Sequence, residues 1–329
     1  MTQTKIRWGI LATGGIAATF TADLQTLDDA EVVAVGSRTL GAAQAFAEEH
    51  KIPRAYGSWA ELAADPDVDI VYVATPHSAH HAAAALCLDA GKAVLCEKPL
   101  TLDAAQAEDL CRRAEAAGVF FMEAMWTRTV PAVLRMVEMV RAGAIGEPRL
   151  VTSDFSVSFT GGPEHRMRNP ALGGGALLDL GVYPLAISQL VFGTPSVVQA
   201  VGTLTPEGVD DTTAVTLVHP GGGVSALTCS ISADGTWSAT VAGTGGRIEF
   251  GRGFTSPTGF TLYRGDEAAQ RIEEPYLAGG MVHEAIEAQR CLREGLRESP
   301  LAPWSETLAV MRTMDAVRGQ VGVRYPGLS

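Results

Sequence analysis

The sequence has few cysteines, few aromatic residues and fewer basic than acidic residues. Its five cysteines are an odd number with no Cys-x-x-Cys pair, which excludes a disulfide framework and a zinc ribbon. Lysine and arginine number 25 against 37 aspartates and glutamates, so the net charge is −12 and no nucleic-acid surface is expected. Hydrophobic residues reach 47% and charged residues 19%, which is typical of a globular protein.

Long uninterrupted apolar runs are also missing. Glycine, aspartate or histidine breaks the longest stretches, so we expect no membrane-spanning segment. Residues 1–5 lead directly into a strand pattern and lack the apolar centre of a signal peptide, which predicts a cytoplasmic protein. With 329 residues, the chain is long enough for two domains with separate cores.

The chain opens with a strand, a glycine turn and a helix. The strand pattern at 6–11 is followed by the turn 12–17 (Ala-Thr-Gly-Gly-Ile-Ala) and a helical pattern to about Leu27. Such a turn lets backbone N–H groups contact a pyrophosphate at a helix N-terminus. Ala12 replaces the first glycine of the dinucleotide-binding fingerprint, while Gly14 occupies its second position. A tight turn without a ligand remains an equally good interpretation of this segment alone.

The end of the second strand pattern bears on the choice of cofactor. An acidic residue there would bind the ribose hydroxyls of NAD, whereas an arginine accommodates the 2′-phosphate of NADP. The strand ends at Gly36-Ser37-Arg38-Thr39 without a carboxylate, and Arg38 can pair with a phosphate through two hydrogen bonds. We therefore expect NADP, with NAD possible. In the alternative interpretation, Ser37 caps the next helix and Arg38 is solvated.

Strand and helix patterns alternate up to residue 124, which predicts a doubly wound parallel sheet. Ligands bind such sheets beyond the carboxyl ends of the strands. Three histidines, His77, His80 and His81, follow the strand at 70–74. His77 and His81 have the spacing of metal ligands on one helix face, but no carboxylate or cysteine accompanies them. We expect hydrogen-bonding roles beside a cofactor rather than a metal site.

The strand pattern at 93–96 stops abruptly at Glu97-Lys98-Pro99. Pro99 removes a backbone donor and biases Lys98 towards an extended conformation, so the lysine is held on a stiff turn. A lysine held this way suits proton transfer or polarisation of a carbonyl or hydroxyl group. A solvated lysine at a strand end is the alternative, and this motif alone favours it.

Beyond residue 131 the pattern changes to strands of period two separated by glycine turns. Their spacing predicts a largely antiparallel sheet in a second domain. Within this domain the glycines at 173–175 lead into an apolar helix on which Asp179 and Tyr183 are four residues apart and share a face. Either these polar groups are functional, or they form an ordinary intrahelical contact. Arg166 and Arg168, before the glycines, are expected to face solvent.

Together these motifs resemble the Gfo/Idh/MocA oxidoreductases, and most of all the branch of dimeric dihydrodiol dehydrogenases and NADP-dependent D-xylose dehydrogenases. The likeness covers nearly the whole chain. It rests on the turn at 13–17, Ser37-Arg38, Thr75-Pro76-His77, His80, Glu97-Lys98-Pro99-Leu100 and Met122-Glu123-Ala124-Met125-Trp126.

The resemblance implies an architecture. It implies an N-terminal Rossmann domain at 1–124 and a substrate-binding domain at 125–302, built from an open, mainly antiparallel sheet plus helices. It also implies that a helix at about 303–322 returns to the first domain, and that the open sheet packs against a second copy to form a homodimer.

The resemblance also implies roles for individual residues. Lys98, Asp179 and Tyr183 match catalytic positions; many relatives carry histidine where Tyr183 stands, and the dihydrodiol branch carries tyrosine. The implied substrate-binding residues are Lys98, Trp126, Phe155, Asp179 and Tyr183, where Trp126 and Phe155 are otherwise explained as core residues. The implied cofactor-binding residues are Thr13, Gly14, Gly15, Ile16, Ser37, Arg38, Thr75, Pro76, His77, His80, Glu97, Lys98, Ala124 and Trp126.

The activity implied is reversible hydride transfer between NADP and a secondary alcohol or hemiacetal carbon of a sugar, anhydrosugar or cyclic diol. Three alternatives stay open at this point: an NAD-dependent inositol or sugar-nucleotide dehydrogenase, an NADP-binding sensor without turnover, and a metal-dependent hydrolase built on His77 and His81.

Overall fold

The computed structural model describes residues 4–328, which form two compact units. The first comprises 4–101, 105–126 and 277–304, and the second comprises 102–104, 127–276 and 305–328. The predicted boundary near residue 124 therefore lies within a few residues of the observed one. The assignment of residues 277–302 to the second domain was wrong, because this segment packs in the first unit.

The strands and helices are labelled here in chain order. The strands are β1 Ile6–Leu11, β2 Ala30–Gly36, β3 Arg54–Tyr56, β4 Ile70–Val73, β5 Ala93–Glu97, β6 Phe121–Ala124, β7 Pro148–Ser156, β8 Val197–Leu204, β9 Asp210–Val218, β10 Val224–Ser230, β11 Ser238–Gly243, β12 Gly246–Phe250, β13 Gly259–Arg264 and β14 Gln270–Glu273. The α-helices are α1 Gly15–Leu24, α2 Leu40–His50, α3 Trp59–Ala63, α4 His77–Asp89, α5 Ala104–Ala117, α6 Pro131–Arg141, α7 Val182–Phe192, α8 Val282–Arg293 and α9 Trp304–Val321.

The first unit is built on a six-stranded parallel sheet with the order β3-β2-β1-β4-β5-β6. β4 and β5 are buried along their whole length, as strands covered by helices on both faces must be. The strand order reverses between β1 and β4, so the loops that follow these two strands lie side by side at the carboxyl edge of the sheet. The predicted doubly wound fold is confirmed.

The second unit contains an eight-stranded sheet with the order β14-β13-β12-β11-β7-β10-β9-β8. Its strand pairs are antiparallel except for β7 and β10, which run parallel. The predicted open, mainly antiparallel sheet with helices is therefore also confirmed.

The last helix, α9, belongs to the second unit and not, as expected, to the nucleotide-binding one. The side-chain amide of Gln320 donates to the carbonyl of Val198 at 3.0 Å and accepts from the N–H of Ala200 at 2.8 Å, which ties α9 to the edge strand β8. The helix that joins the first unit is α8. Asp23 of α1 accepts backbone hydrogen bonds from Gly279 at 2.8 Å and from Val282 at 3.3 Å, at the start of α8.

The helical segment 170–192 corrects the expectation that no apolar run reaches membrane-spanning length. By length and composition it would suffice to cross a membrane, but 83% of its most apolar window is buried inside the protein. Its apolar side chains, including Leu178, Leu185 and Ile187, lie in the core of the second unit. The segment is therefore the core helix of this unit.

Candidate active site

The loop after β1 has the shape of a pyrophosphate-binding turn. Helix α1 begins at Gly15 with Gly14 as its N-cap; no side chain among residues 4–328 caps it, and its first turn carries no acidic residue. A Cβ atom placed on Gly14 or Gly15 would meet nothing within 4 Å, so there is room for a ligand against this backbone. The N–H groups of the first turn are the donors that an anion needs.

Ala12 retains the backbone shape of the glycine that it replaces. Its φ of 99° lies in the left-handed region, which side chains rarely adopt. Although strained, Ala12 therefore has a backbone conformation that glycine normally adopts. The departure from the fingerprint at this position therefore leaves the turn intact.

Beside this turn, β2 ends at Gly36 and is followed by Ser37 and Arg38. The alternative in which Ser37 caps the next helix is wrong, because Thr39 Oγ1 accepts the hydrogen bond from Ala42 N at 3.4 Å. Ser37 Oγ instead lies 3.5 Å from Thr13 Oγ1 of the glycine turn. Arg38 is exposed, and no carboxylate among residues 4–328 forms an ion pair with it. This arrangement fits a dinucleotide whose 2′-phosphate lies against Arg38.

His80 supports the site from beneath. It is fully buried; Nδ1 lies 2.9 Å from the carbonyl oxygen of Pro99, and Nε2 lies 2.8 Å from that of Thr75. Burial lowers the pKa of His80, and the positive charge of Lys98 lowers it further. This imidazole connects the loop after β4 to the loop after β5. Because His80 is fully buried, its side chain has no surface for direct contact with a cofactor, in contrast to the predicted cofactor-binding role.

The other two histidines have different neighbours. His77 is the first residue of α4, with Pro76 as the N-cap, and its ring lies edge-on to that of His80 at 5.6 Å. His81 Nε2 lies 2.9 Å from a carboxylate oxygen of Asp109. Within the described part of the chain, no group of three histidine, cysteine or acidic side chains is arranged to hold a metal ion.

Two buried carboxylates hold the turn that carries Lys98. Glu97 Oε1 accepts a hydrogen bond from the hydroxyl of Tyr72 at 2.5 Å, and its Oε2 accepts from Lys98 N at 3.1 Å. Glu123 Oε1 accepts from Leu100 N at 3.0 Å. The Lys98–Pro99 peptide bond is cis. The hydrogen bonds of Glu97 and Glu123 hold the backbone on both sides of Lys98, as the sequence predicted, and Lys98 itself is half-buried.

β6 ends beside this turn. Ala124 is its last residue and is buried, and Trp126 follows in a 3₁₀ turn, Trp126–Arg128. Trp126 is half-buried and packs against the hydrophobic core of the first unit. Part of this side chain therefore packs on the core, and part of it is accessible.

In the second unit, the helix carrying Asp179 and Tyr183 begins with a π-helical turn. This turn, Leu177–Gly181, continues directly into α7. Asp179 and Tyr183 are both more than nine-tenths buried. Wide turns of this kind are frequent at functional sites, because they reorient the side chains that follow.

The two arginines that were expected to face solvent each form an ion pair. Arg166 Nη1 lies 3.0 Å from Asp179 Oδ1, and the Arg166 side chain is 48% exposed whereas that of Asp179 is 6% exposed. Arg168 Nη2 lies 3.0 Å from Glu207 Oε2. The expectation that both arginines face solvent alone was wrong. Arg166 brings a positive charge to the buried carboxylate next to Tyr183.

Tyr183 contacts an aromatic cluster through Phe155. The ring of Phe155 lies 5.5 Å from that of Tyr183 at 60°, and Trp237 stacks on Phe155 at 5.0 Å with an interplanar angle of 4°. Phe155 is buried, as the alternative to its pocket role predicted. The indole N–H of Trp237 is buried and has no hydrogen-bond partner among residues 4–328. Its backbone is in the left-handed region, with a φ of 50°.

Trp237 is the residue of this group that the sequence analysis missed. A large ring in the turn 234–237 (Asp-Gly-Thr-Trp) was the available signal, since such turns favour small residues. A bulky residue with positive φ is an outlier that occurs preferentially at functional sites.

Two family models match most of the chain. The model of the family described as "Oxidoreductase family, NAD-binding Rossmann fold" matches residues 6–125. The model described as "GFO/IDH/MocA C-terminal domain" matches residues 133–249. The chain is 41% identical over 332 residues to a trans-1,2-dihydrobenzene-1,2-diol dehydrogenase of Bos taurus, with 98% of each chain covered. It is 39% identical over 333 residues to the enzyme of that name from Homo sapiens, again with 98% of each covered.

Two solved structures are also similar. The aldose-aldose oxidoreductase from Caulobacter crescentus matches with a TM-score of 0.88 and 25% identity over 97% of this chain and 98% of that one. A 3-ketoreductase from Actinomadura kijaniata, solved with NADP and TDP-benzene, matches with a TM-score of 0.85 and 29% identity over the same shares. The predicted nicotinamide-dependent oxidoreductase is confirmed at this level. The chain belongs to the Gfo/Idh/MocA family of oxidoreductases.

Proposed function

We propose that this protein is an NADP-dependent dehydrogenase that interconverts a secondary alcohol or hemiacetal carbon of a cyclic diol or sugar with the carbonyl form. The observation that carries the proposal is the contact of the buried Tyr183 with the ring of Phe155, on the same helix as the buried Asp179, which pairs with Arg166. The similar proteins are named for a cyclic diol, for aldoses and for a ketone reduced with NADP, which supports this substrate class.

The residues of the first unit are suited to bind the cofactor. The uncapped start of α1 offers backbone donors to the pyrophosphate, and Arg38 and Ser37 offer a cation and a hydroxyl to the 2′-phosphate. When bound, the nicotinamide supplies or accepts the hydride, while the protein contributes positioning and electrostatics. Arg38 favours NADP because its positive charge can bind the 2′-phosphate. NAD is disfavoured because no acidic residue at the end of β2 is available to bind a free ribose hydroxyl.

Tyr183 is the proposed acid and base at the substrate oxygen. An unperturbed phenol has a pKa of about 10, so it needs a nearby positive charge to release its proton near neutral pH. The family resemblance assigns the supply of that charge to Lys98, and the Lys98→Met variant tests this role. Arg166 neutralises the charge of Asp179, so that this buried carboxylate does not oppose ionisation of the Tyr183 phenol. Asp179 in turn is proposed to orient Arg166 and Tyr183.

The proposed substrate contacts follow from the chemistry of rings and hydroxyl groups. Trp237, the half-buried member of the stacked Trp237–Phe155 pair, is the proposed aromatic surface for the apolar C–H groups of a cyclic diol or sugar. The unpartnered indole N–H of Trp237 is a donor for a substrate hydroxyl group. Trp126 retains its predicted role as a further aromatic contact.

The proposed assembly is a homodimer through the open sheet. Val197, Val218, Val224 and Leu150 lie in register on adjacent strands of one sheet face, where Val201 is 73% exposed. Such an apolar face is characteristic of a protein–protein interface. Val201→Glu should lower the mass measured by light scattering, whereas an unchanged mass would remove this face from the assembly. All five cysteines are buried free thiols, which supports the proposed cytoplasmic location.

The experiment that tests the function follows nicotinamide absorbance. Purified protein is supplied with NADP⁺ or NAD⁺ and with D-xylose, D-glucose, an inositol, an anhydrosugar or trans-1,2-dihydrobenzene-1,2-diol. Turnover with NADP⁺ and a diol or sugar that Lys98→Met abolishes supports the proposal. Preference for NAD⁺ would contradict the role of Arg38, and NADP binding without turnover on any of these substrates would favour a sensor instead.

A further inference from the structure

Asp210 lies buried at the start of the helix that carries Asp179 and Tyr183. It is the first residue of β9 and is 1% exposed. Its Oδ2 accepts a hydrogen bond from Leu177 N at 2.6 Å and another from Thr213 Oγ1 at 3.2 Å. Its Oδ1 has no hydrogen-bond partner among residues 4–328. A buried carboxylate at this place satisfies a helix N–H group that would otherwise have no partner.

The glycine loop before the helix is shaped around this carboxylate. Gly175 has a φ of 118°, and a Cβ atom at this residue would lie 2.2 Å from Asp210 Oδ1. The next glycine towards the N-terminus, Gly174, accepts a hydrogen bond from the hydroxyl of Tyr325 at 2.7 Å. Only a residue without a side chain lets the loop approach Asp210 this closely.

A short chain of hydrogen bonds runs from Asp210 to the catalytic helix positions. The N–H of Leu177 donates to Asp210, and the carbonyl of Leu177 accepts from Val182 N in the π-helical turn. Val182 is the residue before Tyr183, and Asp179 lies inside the same turn. The contact to Asp210 therefore holds one end of the turn that sets the direction of both side chains.

The groups facing Asp210 leave its charge without a counter-ion. Asp211 is next to it on β9, the thiol of Cys229 faces it from β10, and the phenol of Tyr325 faces it from the C-terminal segment. No basic side chain among the described residues forms an ion pair with it. Burial raises the pKa of Asp210 to about 6. A position this costly for a carboxylate calls for a reason other than stability.

We infer that Asp210 is a positioning residue for the reaction: its carboxylate fixes the first turn of the catalytic helix and thereby the directions of Asp179 and Tyr183. The inference rests on the proposed catalytic role of Tyr183. Misplacement of a catalytic group by about 1 Å costs on the order of 100-fold in rate, so loss of this contact should be visible in kcat.

The test compares Asp210→Ala, which removes the acceptor, with Asp210→Asn, which keeps an acceptor oxygen. Asp211→Asn is the matched control, because it removes the same charge at the neighbouring residue, whose carboxylate accepts a hydrogen bond from Ser232 at 2.9 Å. We expect kcat to fall on the order of 10- to 100-fold in Asp210→Ala, to recover most of that loss in Asp210→Asn, and to stay unchanged in Asp211→Asn. NADP affinity should stay unchanged in all three, because the cofactor residues lie on other segments.

The outcomes separate this inference from the function on which it rests. If Tyr183→Phe lowers kcat but folded Asp210→Ala does not, the positioning role is overturned while the proposed function stands. If Tyr183→Phe leaves kcat unchanged, the proposed function itself fails. If kcat is as low in Asp210→Asn as in Asp210→Ala, the hydrogen bond to Leu177 does not position the helix, and the inference is overturned. Should Asp210→Ala not fold, Thr213→Val removes the other donor to Oδ2; several-fold lower kcat supports the role, and unchanged kcat contradicts it.

Discussion

Replacing Asp210 by asparagine should make the protein less sensitive to pH between about 4 and 7. The pKa of this carboxyl group is raised from 3.8 to about 6 by burial. An acid whose pKa is higher in the folded than in the unfolded state binds its proton more tightly when folded. Stability is therefore lost as pH rises through the window between the two values, and the loss is complete above pH 6.

The size of the effect follows from the shift. One pKa unit corresponds to about 1.4 kcal/mol, so a shift from 3.8 to about 6 costs the ionised protein about 3 kcal/mol at neutral pH. About 2 kcal/mol of this falls between about pH 4.5 and pH 7. Asparagine is neutral at both pH values. The free energy of unfolding of Asp210→Asn, relative to that of wild type, should therefore be about 2 kcal/mol higher at pH 7 than at pH 4.5.

The assay is urea unfolding followed by tryptophan fluorescence at the two pH values, with Asp211→Asn as the control for general charge effects. The difference between Asp210→Asn and wild type is the quantity to compare, because the other titrating groups cancel in it. If that difference is the same at both pH values, Asp210 does not titrate in this window and the description of its surroundings is wrong.

Three further predictions follow from the two units. Arg38→Ala should raise the KM for NADP on the order of 10- to 100-fold and leave the KM for NAD unchanged, because a charge-assisted contact to the 2′-phosphate is lost; an equal rise for both cofactors would contradict it. Tyr72→Phe should lower the free energy of unfolding by about 1–3 kcal/mol, because Glu97 then loses a buried donor; urea unfolding checks it, and no change would refute it. Gly175→Ala should cost about 3 kcal/mol or more through its backbone strain and its clash with Asp210, whereas Gly41→Ala, which meets open space in α2, should not destabilise; equal stabilities would argue against the clash.

Much of the fold follows from local patterns. The buried runs of β4 and β5, with a helix between them that Gly91 ends, predict a parallel sheet, and the structure has it. The Lys98 turn was also predictable, because a charge and a proline directly after a buried strand are local signals.

Assignment of the last two helices failed because it depends on distant partners. Both α8 and α9 have an apolar face, and nothing in either pattern says which core that face covers. The choice is made by contacts such as Gly279 N to Asp23, between residues 256 positions apart, and Gln320 to Val198. Neither contact leaves a signal in the sequence around the helix.

The candidate site shows the same division. Asp179 and Tyr183 are recognisable because their spacing puts them on one helix face. Arg166 and Asp210 are not, because their contacts depend on how a loop and a strand 13 and 33 positions away are folded back onto that helix. Trp237 reaches its place beside Phe155 with a backbone conformation that is uncommon for a bulky residue. The turn propensities of the sequence therefore do not predict it.

The central claim is that Tyr183 exchanges the proton with the substrate oxygen, and steady-state turnover of Tyr183→Phe tests it most directly. Phenylalanine keeps the ring beside Phe155 and removes only the hydroxyl group. The account predicts that kcat falls on the order of 10²- to 10⁴-fold while the affinity for NADP, measured by fluorescence titration, stays unchanged. A folded Tyr183→Phe protein with the kcat of wild type would contradict it.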